Sequence, residues 1–461
     1  MSNLAIQGGR PHLVLRVWCL AYPVFAIQFI AACLWFLLPN ELQLYIFDFV
    51  FAGRLKDMAL RTKVCATSSA WMRFLRAHPR FWTHICITSR IPKDDVLAFI
   101  TLAGALPLRF YITLNSSDPV VDMSYLAPHV LVATHFTVES DDRDTLARLQ
   151  QTFAGVSGPL LRHFALFFRR ARQPTPRDST PLLPHTWFSG QHQDLRVLHL
   201  CCAVLPFVDL DFPSLRVLRI WGVHPQYSLD VHGLAKVVCN SPMLTDLTVR
   251  RFTCTGLRGV ALLPEIYSAT LKTLEVGFSR DGSIGRLATL FDFPSLTDLY
   301  LEISSAGHVA QTRAMRPQLL SRVTALLVRD PRTQYTPFVF MSIDFFSLFP
   351  NLQGLNLRFS RPPVFTDLVN TSSDHYRTHG TPLLPALTFL TVNEATMTEL
   401  FEFASRYLVV PRDGPPYVSL RHIHAGLVPY GPFDMEEAAA VAWLSSNVRE
   451  FVGEPDRLAF D

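Results

Sequence analysis

Few residues in this 461-residue chain have the types and spacing that chemistry requires. His422-x-His424 would set two imidazoles on one face of a strand, but no third metal ligand follows at a useful distance, so they read as surface histidines. Asp141, Asp142 and Asp144 form a small acidic cluster, better suited to a solvated helix start than to acid/base work. The stretch RDGSIGR (280–286) has paired glycines but neither the flanking strand and helix nor the lysine of a phosphate-binding loop, and reads as a turn. The eight cysteines fall at 19, 33, 65, 86, 201, 202, 239 and 254 without a C-x-x-C pair. That is neither a zinc framework nor a disulfide scaffold, and it fits a reduced compartment. Cys201-Cys202 reads as a pair of small residues at a strand end. No nucleophile elbow or H-E-x-x-H is present. The expectation is a protein with no catalytic residues, no metal and no cofactor.

The elements that would position any site come next. Apolar residues make up 49% of the chain and charged ones 17%, which excludes bulk disorder. The net charge of +4 is small for this length, and no basic run marks a nucleic-acid-binding arm. Val17 to Leu38 carries no formal charge and follows Arg10 and Arg16, so by length and polarity it qualifies as a membrane-span candidate, weakened by Pro23 and Gln28.

From about residue 190 the chain repeats. DFPSLRVLRI (211–220), NSPMLTDLTV (240–249), DFPSLTDLYL (292–301), LFPNLQGLNL (348–357) and LLPALTFLTV (383–392) share P-x-L-x-x-L-x-(L/I/V). The same shape without the proline recurs at 194–200, 270–276, 322–328 and 419–425. Anchors fall at Leu195, Leu215, Leu244, Leu271, Leu296, Val323, Leu352, Leu387 and Leu420, mostly 25 to 35 residues apart with one step of 20. This is a leucine-rich-repeat period of irregular length. Each unit supplies one strand of a parallel sheet and returns on the convex side as a helix or loop; stacking buries the leucines and leaves a concave surface free. Regular repeats carry an asparagine three residues after the last leucine, where this chain has Ala203, Val223, Phe252 and Ser279, so an irregular horseshoe is expected. PLRFYITL, VATHFTV and LLRHFAL, within about 107–166, read as extra degenerate turns. Two Pro/Ser/Thr-rich interruptions, 169–192 and 361–385, read as long loops, which are usually functional or disordered, with ligand contact one role open to them. FDMEEAAAVAWLSSNVREFV reads as an amphipathic helix capping the open end.

Ahead of the repeats, LPNELQLYIFDFV opens with Pro39 at a natural first helical turn and Glu41 at the positive end of that helix. Leu38, Leu42, Ile46 and Phe49 recur on one helical face, widened by Phe47 and Val50. Short helices follow with Val64, Cys65, Trp71 and Trp82, broken at His78-Pro79. L-P-x-E-L-x-L-x-I-F, a Val-Cys pair, a Trp and then P-x-F-W resemble an F-box, over Leu38 to about Ile85. The helix and strand expected in SRIPKDDVLAFITLAGALPLRFYITL are similar to segments that follow the F-box in fungal F-box-like proteins. The chain departs from the family once: the Trp usually stands three residues after the Cys, whereas Trp71 stands six after Cys65, nearly one extra helical turn.

The expected architecture is therefore α/β: an apolar segment (1–37), a helical F-box (38–85) and a leucine-rich solenoid (86–461). The resemblance implies the substrate-recognition subunit of an SCF-type cullin–RING ubiquitin ligase, in the cytoplasm or nucleus. Its F-box would dock on a Skp-family adaptor through Leu38, Pro39, Leu42, Ile46, Phe47, Val64, Cys65, Trp71 and Trp82, and its repeats would hold a target protein. Two other readings stand beside it: a repeat scaffold without a ligase partner, and a membrane-anchored repeat receptor spanning at 17–38. Under the ligase reading, segment 17–37 is an extra helix, a translated intron or a misplaced start.

Overall fold

The P-x-L signature makes a turn before it makes a strand. In Phe212-Pro213-Ser214-Leu215 the Leu215 amide donates to the Phe212 carbonyl (3.1 Å), and the same bond closes Ser241–Leu244, Phe293–Leu296, Phe349–Leu352 and Leu384–Leu387. Proline stands second in each, where its fixed φ presets the turn. The residue before the proline and the anchor after it are both buried in all five turns: Phe212, Ser241, Phe293, Phe349 and Leu384 are at most 2% exposed, and all nine anchors are buried.

The computed structural model describes residues 38–51, 58–116, 122–153, 155–168, 193–201, 211–222, 228–250, 253–255, 265–278, 282–303, 305–329, 343–358, 364–380, 383–408, 420–427 and 435–455. Over these residues the chain is α/β, with a parallel sheet of 14 strands in chain order. They are β1 (His84–Thr88), β2 (Leu108–Leu114), β3 (Ala133–Ser140), β4 (His163–Phe168), β5 (Val197–Cys201), β6 (Val217–Trp221) and β7 (Asp246–Arg250). There follow β8 (Thr273–Gly277), β9 (Asp298–Glu302), β10 (Ala325–Arg329), β11 (Gly354–Arg358), β12 (Phe389–Ala395), β13 (His422–Leu427) and β14 (Glu450–Pro455). Every strand pairs with its neighbour in sequence, which is a solenoid-like stacking.

Register is even where the repeat lengths are not. Leu198, Leu218, Leu247, Leu274, Leu299, Leu326, Leu355, Leu390 and Ile423 face one another across nine strands, all buried. The only register shifts among the described pairs are at Leu108/Arg109 and Val392/Ala395. Apart from those two shifts the described pairs keep an even register; positions 203, 223, 252 and 279, on which the irregularity was expected, lie outside the described residues. The degenerate turns expected in 107–166 are real, and supply β2, β3 and β4.

Three helices precede the sheet: α1 (Asn40–Val50), α2 (Met58–Thr67) and α3 (Ser69–Arg76). Strand β1 begins at His84, so the boundary expected at 85/86 falls inside a strand. Between and behind the strands lie α4 (Lys93–Ala103), α5 (Arg143–Phe153), α6 (Val231–Cys239), α7 (Ser283–Ala288), α8 (Val364–His379), α9 (Met397–Leu408) and α10 (Met435–Asn447), with a further helix over Ala306–Arg313 and shorter turns.

Two expectations are corrected. Within 361–385 the chain forms the 16-residue helix α8, where a loop was expected. Phe365, Leu368, Val369, Ser372 and Ser373 bury one face of it, and two serines at core positions hide this stripe from a hydrophobicity reading. Gly380 ends the helix at φ +69, its amide closing onto Tyr376 (2.8 Å). The C-terminal helix α10 does not cap the sheet end: β14 follows it and is the last strand, while Trp443 of α10 packs edge-on against Phe401 of α9 (4.9 Å). The interruption at 169–192 lies outside the described residues.

Candidate functional site

Two surfaces come forward, one on the helices and one on the sheet. In the helices an aromatic cluster forms first: Phe47 lies edge-on to Trp71 (5.7 Å) and packs on Phe51, Phe74 and Phe81. Trp82 donates its indole N–H to the Leu75 carbonyl (2.8 Å) and stacks on Phe99 of α4 (5.3 Å). With Phe47, Phe51 and Gln43 facing in, the other side of α1 is left out. Leu42 is 49% exposed and Tyr45 58%; Pro39 is exposed, and Leu38 and Ile46 are half-buried.

The nine predicted docking residues therefore divide. Leu38, Pro39, Leu42 and Ile46 are reachable from outside, and Cys65 is half-buried. Phe47, Val64, Trp71 and Trp82 are at most 3% exposed and serve as core. In this arrangement those four face inward, and the docking expected of them is carried forward only by the exposed and half-buried residues. The Cys65–Trp71 offset also has a local cause other than an extra helical turn. Helix α2 stops at Thr67, and the Ser68 hydroxyl caps a new helix by accepting from the Ala70 amide (3.2 Å), so Cys65 and Trp71 sit on different helices.

Arg61 ties the helices to the sheet. It is 1% exposed and donates to the carbonyls of Phe81 (2.8 Å) and His84, with its guanidinium 5.5 Å from the Phe99 ring centroid. Nothing in the sequence marks it, because an arginine in a short helix gives no local sign of burial.

On the sheet, alternate strand residues face away from the core, and the register makes them rows. One row near the start holds His84, Arg109, His135 and His163. The next holds Tyr111, Thr137, Ala165, His199 and Arg219. His135 and His163 stack at 5.2 Å, and His163 meets His199 edge-on at 5.2 Å. Burial, then Arg109, His163 and Arg162, pull His135 down from 6.5 to about 4. Burial, then His163 and Arg219, do the same to His199. Both rings are neutral near pH 7.

Further along, the same face holds a groove of about 560 Å³ lined by Asp246, Glu275, Tyr300, Arg329, Asn356 and Phe389, among others. Glu275 is paired with Arg250 and accepts from the Thr248 hydroxyl (3.0 Å); Arg329 is paired with Glu302 (3.2 Å). Burial, with Asp298 and Asp246 nearby, pushes the Tyr300 phenol up, so it stays a donor. Gly354 and Ala325 leave floor space between the polar side chains. This arrangement can hold a polar chain by ion pairs and hydrogen bonds.

The minor candidates resolve locally. His422 and His424 both approach Glu450 (3.0 and 3.6 Å), and no metal-holding group of three or more His, Cys, Asp or Glu occurs among the described residues. Asp142 accepts from the Thr145 amide (2.9 Å) at the start of α5, as a helix start should. Gly282, at φ +73, turns the chain into α7. Among the described residues Cys65, Cys86, Cys201 and Cys239 form no disulfide, and Cys201 ends β5. No described helix is long and apolar enough to cross a membrane; the span candidate lies outside the described residues apart from Leu38.

The chain matches no protein-family model and no curated protein.

Proposed function

We propose that this chain is a substrate-recognition subunit of an SCF-type ubiquitin ligase, with α1–α3 an F-box that docks on a Skp-family adaptor and the sheet a leucine-rich solenoid that holds the target. The observation that carries the reading is the divided helix α1. Phe47 and Phe51 lock one face into the aromatic core, while Leu42 and Tyr45 stand uncovered on the other. Aliphatic and aromatic side chains on a fixed helix are what a partner's pocket takes as anchors.

Titrating the purified chain with a Skp-family adaptor tests it. Wild type binds, and Pro39→Ala with Leu42→Ala weakens binding by about 2 kcal/mol or more. Absence of binding by wild type overturns the ligase reading. The burial of Val64, Trp71 and Trp82 favours a second reading, a repeat scaffold that has kept the shape of the module but not its adaptor, and the same titration decides between them.

A further inference from the structure

The residue between each anchor and its strand sits on the rim where the strand begins. Successive rim residues are joined by backbone hydrogen bonds: Arg162 to Thr134 (2.9 Å), Arg196 to Arg162 (2.8 Å), Arg216 to Arg196 (2.8 Å), Thr245 to Arg216 (2.9 Å) and Lys272 to Thr245 (2.9 Å). Three arginines thus stand side by side on β4, β5 and β6, all exposed, about 4.8 Å apart along the sheet. Like charges opposite one another on neighbouring strands repel. None of the three has an acid partner among the described residues, although Asp194 lies two residues from Arg196 and the Asp246 amide donates to the Arg216 carbonyl (3.0 Å). Arg109 and Arg219 add positive charge on the adjoining open face. Further along that face the chain does pair its arginines, Arg250 with Glu275 and Arg329 with Glu302. Lys272, Arg421 and Arg449 stand exposed at the same position of later strands, also without an ion pair among the described residues, but β4–β6 are where three arginines follow one another on successive strands.

We infer that the rim formed by Arg162, Arg196 and Arg216 is a docking site for an acidic polypeptide segment, a short run of aspartates or glutamates in the target. The inference rests on the recognition reading above and names the chemistry of what is recognised. Three features choose this occupant. The arginines stand one per strand along an open rim, which suits several separate carboxylates and not one dianion. The arginines cover two strand spacings, about 10 Å, or roughly three residues of extended chain. Beyond β6 the face turns acidic at Asp246 and Asp298, which make no ion pair among the described residues, so a uniform polyanion such as a nucleic acid would meet repulsion a few residues on. His135, His163 and His199 beside the rim offer ring faces, and with His135 and His199 neutral the attraction resides in the arginines.

The test is fluorescence anisotropy on the full chain with three labelled probes: a glycine-serine peptide carrying five consecutive glutamates, its lysine counterpart, and a twelve-residue oligothymidylate. The glutamate peptide is expected to bind, more weakly as salt rises, and the other two to bind at least about tenfold more weakly. Arg162→Gln, Arg196→Gln and Arg216→Gln together are expected to weaken the glutamate peptide about tenfold or more while the melting curve is kept. Should the triple variant misfold, Arg196→Gln alone is measured, with a several-fold loss expected. No binding by wild type, equal binding by the variant, or equal or tighter binding of oligothymidylate overturns the inference. Adaptor titration on the same samples separates the readings: peptide binding without adaptor binding removes the ligase reading alone, and adaptor binding without peptide binding removes the acidic docking site alone.

Discussion

His135 and His199 hold pKa values near 4 because burial disfavours the imidazolium and neighbouring cations oppose it further, with Arg109 and Arg162 by His135 and Arg219 by His199. In the unfolded chain both return to the ordinary value near 6.5. Between those limits the unfolded state binds more protons, so stability rises with pH there and is lost as pH falls from about 6.5 towards 4. Urea unfolding from pH 7.5 to 4.5 should show that loss. In the double variant His135→Phe and His199→Phe, which keeps ring packing without a titrating group, the slope should be visibly shallower. An unchanged slope would place the acid sensitivity elsewhere. Legibility at this scale was uneven. His422 and His424 stand out in the sequence because they lie two apart, whereas His135, His163 and His199 are dozens of residues apart and meet only through strand register.

Among the elements, the junction of helices and sheet turns on Arg61. Its guanidinium satisfies carbonyls of Phe81 and His84 at the point where the chain passes from the Pro79–Trp82 turn into β1. Arg61→Met keeps much of the aliphatic stem but leaves both carbonyls without this donor, at a cost of about 2–4 kcal/mol. Denaturant unfolding followed by both tryptophan fluorescence and far-UV signal reads it: the environment of Trp71 and Trp82 should change at lower denaturant than the sheet. A wild-type midpoint in the variant would mean that the junction is held by apolar packing alone. The Cys65–Trp71 offset belongs to this scale as well. Spacing counted along one helix suggested an added turn, but Ser68 starts a second helix, and a capping serine was there to be read in CATSSAW.

Across the whole molecule the inward ladder makes stability a matter of neighbours. Leu299 lies between Leu274 and Leu326 in the middle of that ladder, fully buried. Leu299→Ala is expected to destabilise by roughly 2–5 kcal/mol, since flanking strands fixed by register cannot collapse into the cavity. Thr297→Ala, at the half-buried rim position of the same repeat, should stay within about 0.5 kcal/mol. Chemical denaturation of the two variants checks the strand assignment directly, because comparable losses would mean that inward and rim positions have been exchanged.

The anchor leucines, the strands that follow them and the parallel α/β stacking were legible because each depends on local rules: a proline-set turn, then alternation with a period of two. The extra strands in 107–166 were legible for the same reason. Helix α8 was not, because Ser372 and Ser373 occupy core positions of its stripe, and only packing from outside shows which face is buried. Nor was the division of the predicted docking residues, since one apolar pattern serves equally for core and for interface until neighbouring elements cover one side. The arginine rim shows the limit most plainly. Each Leu-Arg step was visible at 161–162, 195–196 and 215–216, yet steps of 34 and 20 residues gave no reason to place the three arginines together. Backbone hydrogen bonds between strands set that juxtaposition, and they hold register constant whatever length of chain returns between the strands.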